Sequence, residues 1–536
     1  MTSKDLCPKP PQLKPFVREA TGLVRELSIW DSFFMNISNN APALALLTYT
    51  TASYLFPGGD PITATFLAVF FSIFVSIMYT LLTWAMPRSG GDYIFMSRII
   101  HPAVGFVGNF NLNFWYMFYI GITANWVTTF ALSPSIMIAG TLSGNQSLVS
   151  LANTLAQPQY VILIGAAILI FYTLLMVKGV RSVFRVNDIL VAISLVGLLG
   201  MAWLLLSNSN ASFIAAFSRF ADYNAIIAAA HAAGYSTSGP NPLVATMGLM
   251  PFVYTSTGFG IITAYFAGEV KSVKKNVLYS QVGSVLVVGA FLASLGYLAI
   301  HVFGYDFLGS ITSLSFAGSS QYPFSVPPTF NLFVAMLAPN AGTMWLLGVA
   351  LVTGSLIVLP TVSMIATRSV FAWSFDRVVP SAFSRVDERT HTPVTAIVLV
   401  GAIEIMGLIA YTYFSPTFLA LASGAAMLEI FTFMVVSIAA IILPFTKKEF
   451  YEATPANIKF AGIPIITIAG AVSFIFYAVM QYFYLTNPLY GANIPIVWEG
   501  GAVSVVLPIV IFAVSYYYRK SQGLDLSLAF KQIPPE

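Results

Sequence analysis

The stretch VYTSTGFGIITAYFAGEV, Val253 to Val270, lies inside a long apolar run and yet sets Thr255, Ser256, Thr257, Gly258 and Gly260 close together at its middle. Hydroxyl side chains can bond their own backbone, and glycine removes packing and raises chain entropy, so a helix here is weakest where a membrane is thickest. Unpaired backbone in hydrocarbon is too costly unless protein, water or a ligand satisfies it. The segment predicts a discontinuous membrane helix whose break is offset by something bound.

The rest of the chain supports a membrane setting. Its 536 residues are 57% hydrophobic and 8% charged, with a mean hydropathy of +0.82, whereas soluble chains carry about 25% charged residues. An all-α polytopic membrane protein is expected. The single cysteine, Cys7, excludes an intrachain disulfide, and His101, His231, His301 and His391 show no metal-ligand spacing, so no metal or prosthetic group is expected. The first 25 residues contain Lys4, Lys9, Lys14, Arg18 and Arg25 but no short apolar core, so no cleaved signal peptide is expected.

Apolar runs long enough to cross roughly 30 Å of hydrocarbon occur at about residues 30–55, 62–86, 103–133, 159–177, 187–206, 243–267, 277–303, 343–371, 393–413, 416–443, 461–486 and 496–518. They predict about 12 transmembrane helices, with both termini on one side. Every lysine and arginine except Arg219 then falls on that side, the asymmetry that marks cytoplasmic loops. The formal net charge of +4 is thus a topology signal, and no nucleic-acid partner is implied. A multi-pass plasma-membrane protein with cytoplasmic termini is expected, its partners the lipid bilayer and a small solute. The opposite loops, 134–158, 207–242 and 304–340, are long, nearly uncharged and rich in Ser, Asn, Gly and Pro. They hold the triplets Asn145-Gln-Ser147 and Asn210-Ala-Ser212, where glycosylation is topologically allowed.

The opening stretch is the sixth of these runs. The first has its own interruption, NISNNAP, Asn36 to Pro42, in which Pro42 removes a backbone donor and Asn39 and Asn40 compete for backbone bonds. Interrupted helices at matching places in two halves point to a transporter with inverted repeats, whose half-helix ends bind a solute near the membrane midplane. A kink packed against neighbouring helices is the alternative for either break taken alone.

Four segments carry a family resemblance. PRSGGDYIFMSRIIHPAVGFVGNF, Pro87 to Phe110, resembles the signature after the second helix of amino acid-polyamine-organocation permeases, in which Pro-x-Ser-Gly-Gly-x-Tyr leads to a Gly-Phe pair. RSVFAWSFDRVVPSAFSRVDERTHTPVTAI, Arg368 to Ile397, resembles that family's loop between helices eight and nine. TSTGFGIITAYFAGEVKSVKKNV and KGVRSVFRVND resemble its broken sixth helix and its entry to helix five. The matches run in family order from about residue 22 to 400. Read from its charges alone, the 368–397 loop also predicts an ion-pair network of Arg377, Arg385 and Arg389 with Asp376, Asp387 and Glu388.

The resemblance implies an amino acid permease of the LeuT-type fold, a 5+5 inverted repeat with discontinuous helices 1 and 6 and two peripheral C-terminal helices. It divides the chain into an N-terminal segment (1–27), a first repeat (28–206), an external loop (207–242), a second repeat (243–443), two further helices (444–519) and a tail (520–536). It further implies substrate binding at Asn39, Asn40 and Ala41 for the carboxylate and at Thr255, Ser256, Thr257 and Gly258 for the ammonium, with Phe259 as an aromatic gate. Half-helix N-termini attract anions and freed carbonyls attract ammonium, so a zwitterion fits both. The family's usual helix-one break is glycine-rich, and Asn39, Asn40 and Ala41 depart from it.

Coupling is open between Na⁺ and H⁺. Ser194, with Thr361 or Ser363, offers hydroxyls for Na⁺, while Glu404 and Glu429, deep in apolar helices, offer proton carriers or structural hydrogen bonds. No acidic residue lies in either break, which favours small or hydrophobic neutral amino acids over a dication. Arg219 and His231, on an external loop, are expected to be solvated. The oligomeric state is open between monomer and homodimer. A channel predicts rings of repeated residues, and none is visible. An enzyme needs a nucleophile or metal constellation such as His-Glu-x-x-His, and the chain has none. A transporter of another amine or nucleobase-like solute, or a sensor on the same fold, remains the alternative.

Overall fold

The computed structural model describes residue 23, residues 25–523, and residues 526 and 530. Cys7, Lys4, Lys9, Lys14, Arg18, Lys531 and most of the two terminal segments lie outside the described residues. The chain is almost entirely helical. In order, α1 (Ile29–Asn40) and α2 (Pro42–Leu55) are followed by α3 (Pro61–Ala85), α4 (Asp92–Ile99), α5 (Pro102–Trp126), α6 (Ser133–Ser143), α7 (Gln146–Leu155), α8 (Pro158–Lys178) and α9 (Val180–Leu206). The middle holds α10 (Asn210–Phe217), α11 (Tyr223–Ala232), α12 (Pro242–Tyr254), α13 (Val273–Phe303), α14 (Tyr305–Phe316), α15 (Phe330–Leu337), α16 (Ala341–Leu356) and α17 (Val358–Phe375). Then come α18 (Val394–Tyr413), α19 (Ser415–Thr446), α20 (Lys448–Glu452), a two-residue hairpin of β1 (Lys459–Phe460) and β2 (Ile463–Pro464), α21 (Ile465–Thr486) and α22 (Pro495–Ser521).

Local chemistry sets many of the boundaries. Proline stands in the first turn of α2, α3, α5, α8, α12 and α22, where its missing N–H has no helical acceptor to lose. Ser28 and Asp31 form a capping box at α1, and Asp60 caps α3 by accepting from the N–H groups of Ile62 and Thr63.

Among the described residues ten helices are long and apolar enough to cross a membrane, counting α5 with α6, and α16 with α17, as one each. A π-helical turn, Val127–Leu132, carries α5 into α6. The first and sixth apolar runs are the two that no single long helix covers. The three long uncharged loops are largely helical: α6 and α7, α10 and α11, and α14 and α15 fall within them, because their polar residues act as caps, Asn145 on α7 among them.

Helices approach most closely where a side chain is missing. A Cβ at Gly121 of α5 would lie 2.3 Å from the Glu404 carbonyl oxygen of α18, and one at Gly407 of α18 would lie 2.8 Å from the Phe118 carbonyl oxygen. Reciprocal glycines thus bring two backbones into contact, a packing device of membrane helices.

Candidate functional site

The break in α1–α2 is one residue long. Ala41 adopts φ 45°, ψ 55°, a left-handed conformation that costs a residue with a Cβ about 1–2 kcal/mol, and Pro42 then starts α2. The Ala41 N–H bonds the Ser38 carbonyl at 3.1 Å, three residues back, instead of continuing the four-residue ladder. The first N–H groups of α2 have no acceptor within their own helix and form a positive end.

The second break is longer. α12 ends at Tyr254, and regular structure returns only as short 3₁₀ turns at Ile262–Tyr265 and Ala267–Glu269. The N–H groups of Thr257 and Gly258 both fold back onto the Tyr254 carbonyl, at 3.0 and 2.8 Å. Among the described residues no donor reaches the carbonyls of Thr255, Ser256, Thr257 or Gly258. Gly258 is required by closeness, because a Cβ there would lie 1.8 Å from the Tyr254 ring.

Side chains join the two breaks. Asn39 Nδ2 donates to the Phe259 carbonyl at 2.9 Å, and Asn39 Oδ1 accepts from Thr361 Oγ1 of α17 at 3.2 Å. One helical turn before Asn40, Asn36 Nδ2 donates to Thr263 Oγ1 at 2.6 Å. Asn40 is fully buried, and among the described residues neither its Oδ1 nor its Nδ2 has a partner. A buried amide left wholly unpaired is rare in proteins, and this one adjoins Gly260, whose built Cβ would lie 3.3 Å from its Nδ2.

Asn39, Asn40, Ala41, Ser256, Thr257, Gly258 and Phe259 are therefore brought together. Thr257 bonds Ser72 of α3 at 3.3 Å, and Phe259 packs on Tyr254 and Phe433, with ring centroids 5.5 and 6.4 Å away. Thr255 is not part of this group: it is exposed, and its hydroxyl turns back to the Phe252 carbonyl at 2.6 Å. Sequence reading missed the aromatic wall of Tyr254, Phe433 and Tyr477, in which Tyr254 Oη and Tyr477 Oη are 2.8 Å apart. Tyr254 directly precedes the Thr-Ser-Thr run, but nothing in the sequence pairs it with α21.

The ion-coupling candidates separate. Thr361 and Ser363 lie two residues apart on a helix and so point to opposite sides. Thr361 reaches Asn39, while Ser363 Oγ donates to Glu404 Oε1 at 2.5 Å. Ser194 donates to the Ala350 carbonyl at 3.5 Å. Only Thr361 touches the breaks, and no two of the three hydroxyls share a partner. Glu429 of α19 takes the hydroxyl of Tyr116 of α5.

Hydrogen bonds tie segments together at both ends of the bundle. At the end carrying the termini, the N–H groups of Glu26 and Leu27 bond the Glu269 carbonyl at 3.0 Å, and Gly90 N–H bonds the Tyr265 carbonyl at 2.9 Å. Arg368 grips Glu269 with two bonds of 2.7 and 3.0 Å, both side chains buried. At the other end, Tyr305 Oη donates to the Gly59 carbonyl at 2.6 Å, and Asp60 N–H bonds Thr246 Oγ1 at 2.9 Å. The ion pairs expected within 376–389 are rearranged. Asp376 pairs with Arg98 at 2.7 Å, whereas exposed Asp387 accepts backbone N–H groups of Arg389 and Thr390, and these hold its carboxyl below the usual range. His231 stays partly exposed but pairs with Asp306 at 2.8 Å.

Residues 27–518 match the model of the amino acid permease family, so the chain belongs to that family, within the amino acid-polyamine-organocation superfamily. A comparison with curated proteins finds no match. Membership makes the chain a multi-pass membrane protein and points to a transporter of amino acids and away from an enzyme.

Proposed function

We propose that this amino acid permease is a secondary active transporter that binds a small or hydrophobic neutral amino acid between its two helix breaks and moves it by alternating access. The observation that carries the reading is the facing pair of breaks. One presents the first N–H groups of α2, which have no acceptor within that helix, and the Asn40 amide, which has no partner among the described residues; the other presents four carbonyls at Thr255–Gly258 that accept no hydrogen bond among the described residues. A carboxylate suits the first and an ammonium the second. Phe259, Tyr254 and Phe433 offer an apolar wall for the side chain. The bonds that tie segments together at both ends of the bundle are ones an occluded intermediate would keep and an open state would break.

In this reading α1–α2 and α12 with the segment to Glu269 complete about twelve spans, the two halves 28–206 and 243–443 are inverted repeats, and both termini are cytoplasmic in the plasma membrane, as the lysine and arginine distribution supports. Protons are the favoured coupling ion. Ser194, Thr361 and Ser363 have separate partners and make a poor Na⁺ cage, whereas Glu404 and Glu429 are carboxylates within long apolar helices. The test is uptake of labelled alanine and leucine into proteoliposomes under an inward proton gradient, an inward Na⁺ gradient, or neither. Accumulation above equilibrium with the proton gradient alone is expected. Folded, inserted protein that accumulates neither solute under any gradient would refute the reading and turn attention to another amine, a nucleobase-like solute or a sensing role.

A further inference from the structure

We infer that Glu429 and Asp92 are the two ends of a buried proton route, lined by the phenols of Tyr116 and Tyr265, between the substrate chamber and the end of the bundle that carries the termini. The inference rests on the transport reading above and assigns the coupling proton to named side chains.

Glu429 stands within α19, bonded to Tyr116, and is only partly buried although tyrosines surround it. Tyr119 of α5, Tyr254 of α12, Tyr265 of the 3₁₀ turn, and Tyr477 and Tyr484 of α21 all lie within electrostatic range of it. One turn further along α19, Phe433 packs on Phe259, which places Glu429 about one helical turn from a residue of the second break.

Asp92 opens α4 and is fully buried. One of its oxygens takes the hydroxyl of Tyr265. Among the described residues the other, Oδ1, makes no hydrogen bond of normal length, and the Tyr79 hydroxyl of α3, likewise without one, is a second and longer hydroxyl contact of the Asp92 carboxyl. Each has a bond that one water can complete. Asp92 also lies within electrostatic range of Tyr116, Tyr477 and Glu429. Among the described residues no lysine or arginine pairs with either carboxylate, since the nearby guanidiniums of Arg98 and Arg368 hold Asp376 and Glu269.

Each carboxylate takes a phenol hydroxyl and, among the described residues, no cation, so a proton is the charge the pair can carry. A phenol can accept a proton on its oxygen while releasing its own. Passage along the route leaves Glu429 as carboxylate and Asp92 as carboxylic acid, with no other bond changed. Release beyond Asp92 is blocked by the segment that follows the second break: Gly90 N–H bonds the Tyr265 carbonyl and Ser89 bridges to Phe266. The proton leaves when that segment moves, which ties its exit to the rearrangement that frees the substrate.

The test uses the full chain in proteoliposomes, with Asp92→Asn and Tyr265→Phe. Two readouts are compared: accumulation of labelled alanine and leucine under a proton gradient, with proton entry followed by a trapped pH dye, and counterflow exchange at equal pH, which needs no net proton movement. Both variants should lose gradient-driven accumulation and proton entry by at least about tenfold. Counterflow should stay within about twofold of the unmodified protein. Full gradient-driven accumulation in the variants overturns the route while leaving proton coupling intact. Loss of both readouts in step overturns it in favour of a structural role. If the unmodified protein exchanges solute but ignores a proton gradient, coupling itself fails and the route with it.

Discussion

Replacing Gly258 with alanine tests whether the backbone path at the second break is as tightly constrained as its surroundings imply. The new Cβ would lie 1.8 Å from Cε2 and 2.2 Å from Cζ of Tyr254. That ring cannot swing aside freely. It is 2% exposed, its hydroxyl is 2.8 Å from that of Tyr477, and it packs on Phe259, Phe476 and Tyr477. Overpacking of this kind costs about 1–3 kcal/mol, and pulling Tyr254 off Tyr477 adds about 1 kcal/mol. The cheaper relief is displacement of residues 255–259, which draws the Phe259 carbonyl away from Asn39 and misplaces the four free carbonyls. If about 2 kcal/mol of strain must be restored to bind substrate, affinity falls roughly 30-fold. Equilibrium binding of a labelled neutral amino acid, with thermal melting of the purified protein, measures both routes. Tyr254→Ala in the same chain opens the space, so the double variant should be better than the sum of the singles by at least about 1 kcal/mol. A Gly258→Ala protein with unchanged affinity and melting, or strict additivity in the double variant, would refute the reasoning.

Ala41→Gly removes the cost of a Cβ in the left-handed region and should raise stability by about 1 kcal/mol, read as a higher melting temperature, while Ala41→Val lowers it. Arg368→Met leaves the Glu269 carboxylate buried without its partner and should destabilise by about 3–5 kcal/mol, whereas the double variant with Glu269→Gln should recover much of that loss on the same melting assay. Burial pushes the Asp92 carboxyl up from 3.8 to about 6, against the pull of its Tyr265 and Tyr79 hydroxyls. Between those values the folded protein holds a proton that the unfolded chain has released, so stability falls as pH rises through that window and levels off above it, by a total on the order of 3 kcal/mol. Melting across pH 4 to 7 should show this slope, about 4 to 6 being its active range, and Asp92→Asn should remove it.

Both breaks were legible because their causes are local. Pro42 cannot donate, and hydroxyls and glycines beside one another weaken a helix whatever surrounds them, so the interruptions could be placed to within a residue or two of Ala41 and Tyr254. The long helices were legible for the same reason, as unbroken apolar length. What lay hidden depends on packing between distant segments. Ser363 and Thr361 read alike in sequence, yet a helical offset of two residues sends one to Glu404 and the other to Asn39. Thr255 reads like Ser256 and Thr257, yet it faces outward. Asp376 and its neighbouring arginines alternate in sign and suggest a local network, but Arg98, brought in from α4, takes the carboxylate. Asp92 lies in the Pro-Arg-Ser-Gly-Gly-Asp-Tyr motif, and only the fold shows that its neighbours are Tyr79 and Tyr265.

The asparagines at the first break, where the family usually has glycine, gain a physical reason from these contacts. Glycine would let a substrate approach the backbone, but it would remove the ties from position 39 to the 255–259 segment and to α17. Asn39 holds both through one amide, its Nδ2 on the Phe259 carbonyl and its Oδ1 under the Thr361 hydroxyl. Any tilt of α1 must therefore carry the 255–259 segment with it or break those bonds, each costing about 1–3 kcal/mol in a dry interior. The same amide occupies the Phe259 carbonyl and so limits the acceptors left for an ammonium to residues 255–258. Asn40 is free of such duties and can turn its unpaired amide to a carboxylate, where a glycine would offer only backbone. Read together, one asparagine couples the breaks mechanically and the other supplies the recognition that its partner's bulk would otherwise obstruct.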